Sequence, residues 1–98
     1  MLNSKQRAAL RGYANSLEVV LYIGKAGITP TVLKQLNDAL LARELVKCKV
    51  QDNCPFSARE AAQELAAAAE CEPVQVIGSK FVMYKKHPKQ PIYDIKEL

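Results

Sequence analysis

The sequence predicts an α/β fold: a two-layer sandwich in the order α-β-α-β-α-β-β, with a four-stranded mixed sheet. Three observations carry this expectation. Short β-branched runs at Val19–Ile23, Leu45–Val50, Val74–Ile77 and Lys80–Lys86 are interleaved with segments of helical periodicity. Two of those segments open on explicit start signals, Thr29-Pro30 and Ser57-x-x-Glu60. The last two strands are separated only by Gly78-Ser79, a two-residue hairpin link with glycine first. Helical crossovers join parallel strands that are neighbours or near-neighbours, and the hairpin adds an antiparallel strand. Strand order is left open.

Taken in order, Ser4 is positioned to cap a first helix running to about Asn15, with Ala8, Leu10, Tyr13, Ala14 and Leu17 as a partial apolar stripe. Val19–Ile23 is the first strand, and Gly24-Lys25-Ala26-Gly27 is the loop after it. Thr29 as N-cap and Pro30 at the first helical position start helix 2, where a missing N–H costs nothing. Helix 2 runs to about Arg43, with Leu33, Leu36, Leu40 and Leu41 on one face. In the second strand Val46, Cys48 and Val50 share one side, and Lys47 and Lys49 the other. Ser57 and Glu60 form a capping box that opens helix 3, which ends near Glu70 and is rich in alanine. Its small residues allow close approach to a sheet.

The 98 residues fit one domain, residues 1–86, followed by an extended tail, 87–98, marked by Pro88, Lys89 and Pro91. No apolar run approaches the roughly 18 residues of a membrane span. Met1 to Arg7 lacks the apolar stretch of a signal peptide, so a cytoplasmic location is expected. Cys48, Cys54 and Cys71 form no C-x-x-C pair, and with His87 the only histidine, Cys and His alone build no four-ligand zinc site. All three thiols read as reduced, and no metal or cofactor is expected. His87 lies in the tail, a poor place to hold a general base, and no nucleophile stands beside a base. Catalysis is therefore disfavoured.

Charge is unevenly spread. Residues 1–50 hold eight bases against three acids, whereas residues 51–98 hold six against seven. Between Asp52 and Glu72 five acids accompany Arg59 alone. One acidic element on a basic remainder suits a polyanionic partner. The loop Gly24-Lys25-Ala26-Gly27 is the most informative segment, since two glycines around a lysine let backbone N–H groups approach a phosphodiester chain. Lys5, Arg7 and Arg11 on helix 1, Lys47 and Lys49 on strand 2, and Lys85 and Lys86 after Tyr84 complete the candidate set. Tyr84 is open to two readings, a base-stacking residue or, the more favoured, a core tyrosine. Two rivals to RNA binding remain: a small basic DNA-binding protein, and a protein-interaction module acting through acidic helix 3 or a sheet edge.

Val20 to Thr29 (VLYIGKAGIT), Glu44 to Lys49 (ELVKCK), Val74 to Gly78 (VQVIG) and Val82 to Lys85 (VMYK) resemble the CRM-domain family, whose stand-alone bacterial form is YhbY-like. The resemblance runs from the Lys5–Arg7 region to Lys86, so residues 1–86 are read as a single CRM-like RNA-binding domain. It implies a fold like the C-terminal domain of translation initiation factor three. It also implies RNA binding through the G-x-x-G loop, here Gly24, Lys25, Ala26 and Gly27, and through the basic strand residues Lys47 and Lys49. For a single-domain member it implies association with precursors of the large ribosomal subunit, with a monomer expected. Plant members repeat the domain and splice introns. The alanine-rich helix 3 and the three cysteines depart from the family pattern. On this reading Gly27→Asp places a like charge at the phosphate clamp and is expected to leave the fold intact.

Overall fold

Asn3, not Ser4, starts the first helix in the computed structural model, which describes residues 2–89 and 91–93. The Asn3 side chain accepts the Gln6 N–H at 2.8 Å, and the Gln6 side chain accepts the Asn3 N–H at 3.0 Å. This is a capping box one residue upstream of the expected cap, with Asn and Gln in place of Ser and Glu. The elements are α1 (Ser4–Ala14), β1 (Val19–Ile23), α2 (Pro30–Arg43), β2 (Leu45–Val50), α3 (Ala58–Ala69), β3 (Glu72–Ile77) and β4 (Lys80–Tyr84). Thr29 and Ser57 cap α2 and α3 as expected, the latter with its full Ser57–Glu60 box. No helix of the described residues is long and apolar enough to cross a membrane.

The sheet order is β1-β2-β4-β3. β1 and β2 are parallel across α2, and β4 lies antiparallel to both β2 and β3. The α3 crossover therefore skips a strand, and the hairpin returns β4 into the gap. Gly78 adopts φ +58°, which the tight link between Ile77 and Lys80 requires of its first residue. β3 begins at Glu72 rather than Val74. Pro73 is accommodated next to an irregularity between Pro73 and Gln75, where a missing N–H is tolerated. β4 ends at Tyr84, so Lys85 and Lys86 lie beyond the strand expected to contain them.

The layering goes further than the expected sandwich. Leu21, Ile23, Val46, Cys48, Val50, Phe81 and Met83 pack with Leu36 and Leu40 of α2 and with Ala58, Ala61, Ala62, Leu65 and Ala69 of α3. Leu45, Val74, Val82 and Tyr84 point to the opposite face and pack with Leu10 and Ala14 of α1. Thus α2 and α3 cover one face, while α1 covers part of the other. Alanine in α3 lets that helix approach the sheet closely, since a buried Ala adds little thickness. Leu41, grouped with Leu36 and Leu40 by periodicity, is 57% exposed, because it sits one position round from the buried stripe. Ala8 and Tyr13 are likewise exposed. Tyr84 is a core residue, 3% exposed, which decides against base stacking there.

The junction of α2 and β2 is a single residue, Glu44, fully buried and at φ +62°. Its N–H donates to Leu40 O, and its carbonyl accepts the Lys85 N–H at 3.0 Å. Its carboxylate accepts the backbone N–H groups of His87, Ile92 and Tyr93 at 2.5, 2.6 and 2.8 Å. Tyr93 stacks at a tilt on Tyr13, with centroids 5.1 Å apart. The described part of the expected tail is therefore chain without regular structure that is tied to the domain; residues 94–98 lie outside the described residues. Glu44→Gln presents an amide NH2 to N–H donors and is expected to cost about 1–3 kcal/mol in urea denaturation. The Ile92 and Tyr93 amides should lose hydrogen-exchange protection while those of β2 keep theirs. Unchanged protection at Ile92 and Tyr93 would show that the carboxylate is not the anchor.

The cysteines are unpaired, and Cys48 and Cys71 are buried. Burial, with a smaller contribution from Cys71, pushes the Cys48 thiol from 9.0 up to about 12. Burial likewise pushes Cys71 up to about 11. The Tyr84 hydroxyl is pushed from 10.0 up to about 12, by burial first and the Glu44 charge second. The folded state holds these protons more tightly than the unfolded chain. Their stabilising contribution is therefore complete below pH 9.0 and is lost as pH rises through 11 to 12. Thermal melts across the alkaline range should show Tm falling above pH 9.0, and replacing Cys48 with Ala should make that fall shallower.

Candidate nucleic-acid interface

The loop after β1 is a closed turn. Gly27 N–H donates to Gly24 O at 2.9 Å, and Lys25 and Ala26 form its exposed tip. Gly27 itself is buried, at φ +70°, a conformation that favours glycine. A Cβ at Gly27 would lie 3.1 Å from the Phe56 ring and 3.4 Å from Pro55. The β2–α3 loop thus packs beneath the turn. It is held there by Gln51 N–H to Ile23 O at 2.8 Å and Cys54 N–H to Gln51 O at 2.9 Å. Beyond the turn, Thr29 Oγ1 accepts the Val32 N–H at 3.1 Å, so the positive end of the α2 dipole lies a few residues from Lys25.

This geometry corrects two expectations about the loop. The Gly27 N–H closes the turn and is not directed at a ligand. Gly27→Asp is not a fold-neutral probe, because φ +70° and the Phe56 ring both oppose a side chain.

The remaining sequence-predicted bases separate into groups. Tyr22 is in register with Lys49, and Lys49 with Lys80, so the turn, the end of β2 and the β3–β4 hairpin share one end of the sheet. Leu45 is in register with Tyr84 and Tyr84 with Glu72, which places Lys85 and Lys86 at the opposite end. From Leu45 to Lys49 this amounts to roughly 13 Å along the strand. Arg7 belongs to that far end too: its Nε donates to Pro73 O at 3.3 Å and its guanidinium lies 3.8 Å from Glu72. Lys5 and Arg11 are exposed on α1, Arg11 in its last turn.

Two lysines are engaged internally. Lys47 Nζ donates to Ala14 O and Leu17 O at 3.5 and 3.4 Å, tying down the end of α1. Lys85 Nζ donates to Ala69 O at 3.0 Å, doing the same for α3. Ala14 O and Ala69 O are carbonyls that a helix C-terminus leaves without intrahelical partners, and in both cases a cation meets them.

Tyr22, Lys80, Gln51 and Asn53 join the turn although the sequence reading did not select them. Tyr22 is 53% exposed and lines an open cleft of about 510 Å³ with Lys49, Gln51, Asp52 and Asn53. Gln51 Oε1 lies 2.7 Å from where a Cβ on Gly24 would stand, so the cleft borders the turn directly. The available signal was the alternation inside β1: Leu21 and Ile23 are buried, so Tyr22 must face the other way. An apolar run VVLYI masks that alternation. Among the described residues no three of His, Cys, Asp and Glu are grouped so as to hold a metal ion.

The chain is thus an α/β domain with a mixed sheet. Its lysine-tipped turn stands at the carboxyl end of the parallel strand β1, the end of a sheet at which open α/β domains commonly take ligands. The chain belongs to the CRS1 / YhbY (CRM) domain family, whose model matches residues 2–85. It is 37% identical over 86 residues to the Probable RNA-binding protein YqeI of Bacillus subtilis, covering 88% of this chain and 90% of that one. It is 32% identical over 88 residues to the Probable RNA-binding protein PA4753 of Pseudomonas aeruginosa, covering 90% of this chain and 85% of the relative. The solution structure of the hypothetical protein SAV1595 from Staphylococcus aureus, "a putative RNA binding protein", matches with TM-score 0.80 at 37% identity. That match covers 96% of this chain and 98% of the other.

Gly27→Ala is expected to destabilise the fold by about 1–2 kcal/mol through its left-handed backbone alone. Gly27→Asp should cost at least as much, whereas Lys25→Glu should leave the melting temperature within a degree or two. Equal melting of all three would show that the turn tolerates side chains at Gly27.

Proposed function

We propose that this chain is a non-enzymatic RNA-binding protein that acts, as a cytoplasmic monomer, on precursors of the large ribosomal subunit. The observation that carries the RNA reading is the exposed Lys25 at the tip of a rigid turn. The α2 N-terminus lies behind it, and Lys49 and Lys80 stand at the same sheet end. Membership of the CRM family supports it, as do the names of the relatives. The ribosomal substrate and the likeness to the C-terminal domain of initiation factor three rest on the resemblance set out above.

Mechanistically, the turn is a positioning device. Gly24 and Gly27 allow its shape, the loop packed beneath makes it rigid, and Lys25 carries the charge outward. Lys49 and Lys80 extend the positive edge, while Lys5 and Arg11 on α1 add to the long-range field. Arg7, Lys47, Lys85 and Lys86 contribute charge from positions that also hold the fold together or lie at the far end. Contacts of this kind fix a phosphate chain without reading its bases, so selectivity at the turn comes from the folded shape of the RNA.

With about three to five phosphates neutralised, log affinity should fall against log salt with a slope of roughly −2 to −4. Lys25→Glu should weaken binding to structured RNA severalfold and flatten that slope, with duplex DNA binding more weakly than RNA throughout. In sucrose gradients of lysate the wild type should travel with large-subunit precursors and the Lys25→Glu variant should stay near the top. A flat salt response, or comigration of both proteins with free soluble protein, would overturn the proposal.

A further inference from the structure

α1 leaves part of its sheet face uncovered. On that uncovered part stand Val20 and Tyr22 of β1, Lys49 of β2, Lys80 of β4 and Ile77 of β3. Val20, Tyr22 and Ile77 are 40%, 53% and 61% exposed, three large apolar side chains on one open surface with lysines between them. Tyr22 occupies the place nearest the turn, beside the cleft it shares with Lys49, Gln51, Asp52 and Asn53.

From this juxtaposition we infer that Tyr22 is a stacking platform for one unpaired RNA base, held in the cleft between the Gly24–Gly27 turn and residues 51–53. The inference rests on the proposed RNA function and deepens it by naming the form of RNA taken. A solvent-facing aromatic ring flanked by ammonium groups suits a nucleotide, whose base is flat and apolar on its faces and whose phosphates are anionic. The side-chain amides of Gln51 and Asn53 and the carboxylate of Asp52 offer both donors and acceptors to a base edge. Asp52 also disfavours a phosphate at its own end of the cleft. The phosphates then belong at Lys25 and Lys49, and the base between them and the ring. A base inside a duplex cannot reach such a platform, since its faces are already stacked; a base in a loop, bulge or single strand can. The phosphate-binding turn would thus read no sequence, while Tyr22 would demand an unpaired nucleotide beside it.

The test uses the full chain with two labelled RNAs of matched charge, a hairpin carrying 2-aminopurine in its unpaired loop and a blunt duplex. Tyr22→Ala should lose about tenfold in affinity for the hairpin, within the range seen for removal of a stacked base, and change little on the duplex. Tyr22→Phe should bind the hairpin as the wild type does, because the ring is kept. The 2-aminopurine fluorescence should change on binding to wild type and not on binding to Tyr22→Ala. Equal hairpin affinity for wild type and Tyr22→Ala, with Lys25→Glu still impaired, would overturn the stacking role, leave the RNA function standing and turn attention to a protein partner for this face. If the wild type bound neither RNA, the RNA function and this inference would fall together.

Discussion

Glu44 is the residue on which the arrangement of the rest depends. It ends α2 and is followed at once by β2, so no loop stands between the helix and the strand. A positive φ there costs on the order of 1–3 kcal/mol, and burying a carboxylate is costly in itself. Both penalties are met by hydrogen bonds. The three tail N–H groups satisfy the carboxylate, and the main-chain carbonyl takes the residue that follows β4. One residue, through its backbone and its side chain, therefore sets the α2–β2 junction, the exit path of β4 and the course of the chain after His87. Its effect is local at every contact, yet it links three separate parts of the sequence.

The positive charge follows a similar division of labour. A basic residue near a helix C-terminus finds carbonyl groups with no partner inside the helix, and Lys47 and Lys85 use their ammonium groups in that way, on Ala14 O and Ala69 O. Arg7 binds the start of β3. Counting lysines and arginines therefore overstates the surface open to a polyanion. The bases left outward at the turn end are fewer, but Lys25 is carried by a turn that is closed by its own hydrogen bond and supported by Phe56, and Lys49 and Lys80 by strands of the sheet. A small, stiff cationic edge would lose little entropy on meeting a polyanion, which favours association more than additional mobile charges would.

The open part of the sheet follows from topology. α1 packs through Leu10 and Ala14 with Leu45, Val74, Val82 and Tyr84 and leaves β1 uncovered, and α2 and α3 are both committed to the other face. What remains uncovered lies next to the turn, so a cationic edge and an aromatic surface meet at one end of the molecule. Neither feature alone would indicate a binding mode; their adjacency does.

Much of this was legible in the chain itself. The seven elements, their order, the Thr29-Pro30 and Ser57–Glu60 starts, the Gly78-Ser79 hairpin, the mixed sheet and the family all follow from short-range patterns: periodicity, capping chemistry and turn residues act over a few positions. The CRM motif likewise lies in continuous segments. Tertiary structure alone decided the strand order, the side of the sheet that α1 covers, the inward commitment of Arg7, Lys47 and Lys85, the tie between Glu44 and the tail, and the exposure of Tyr22. The reason is common to all five. Each depends on which distant segment arrives at a residue, and a lysine reaching a helix carbonyl 33 residues away reads the same in sequence as one reaching water. Local chemistry determined what the elements are; packing determined which of their side chains remain available to a partner.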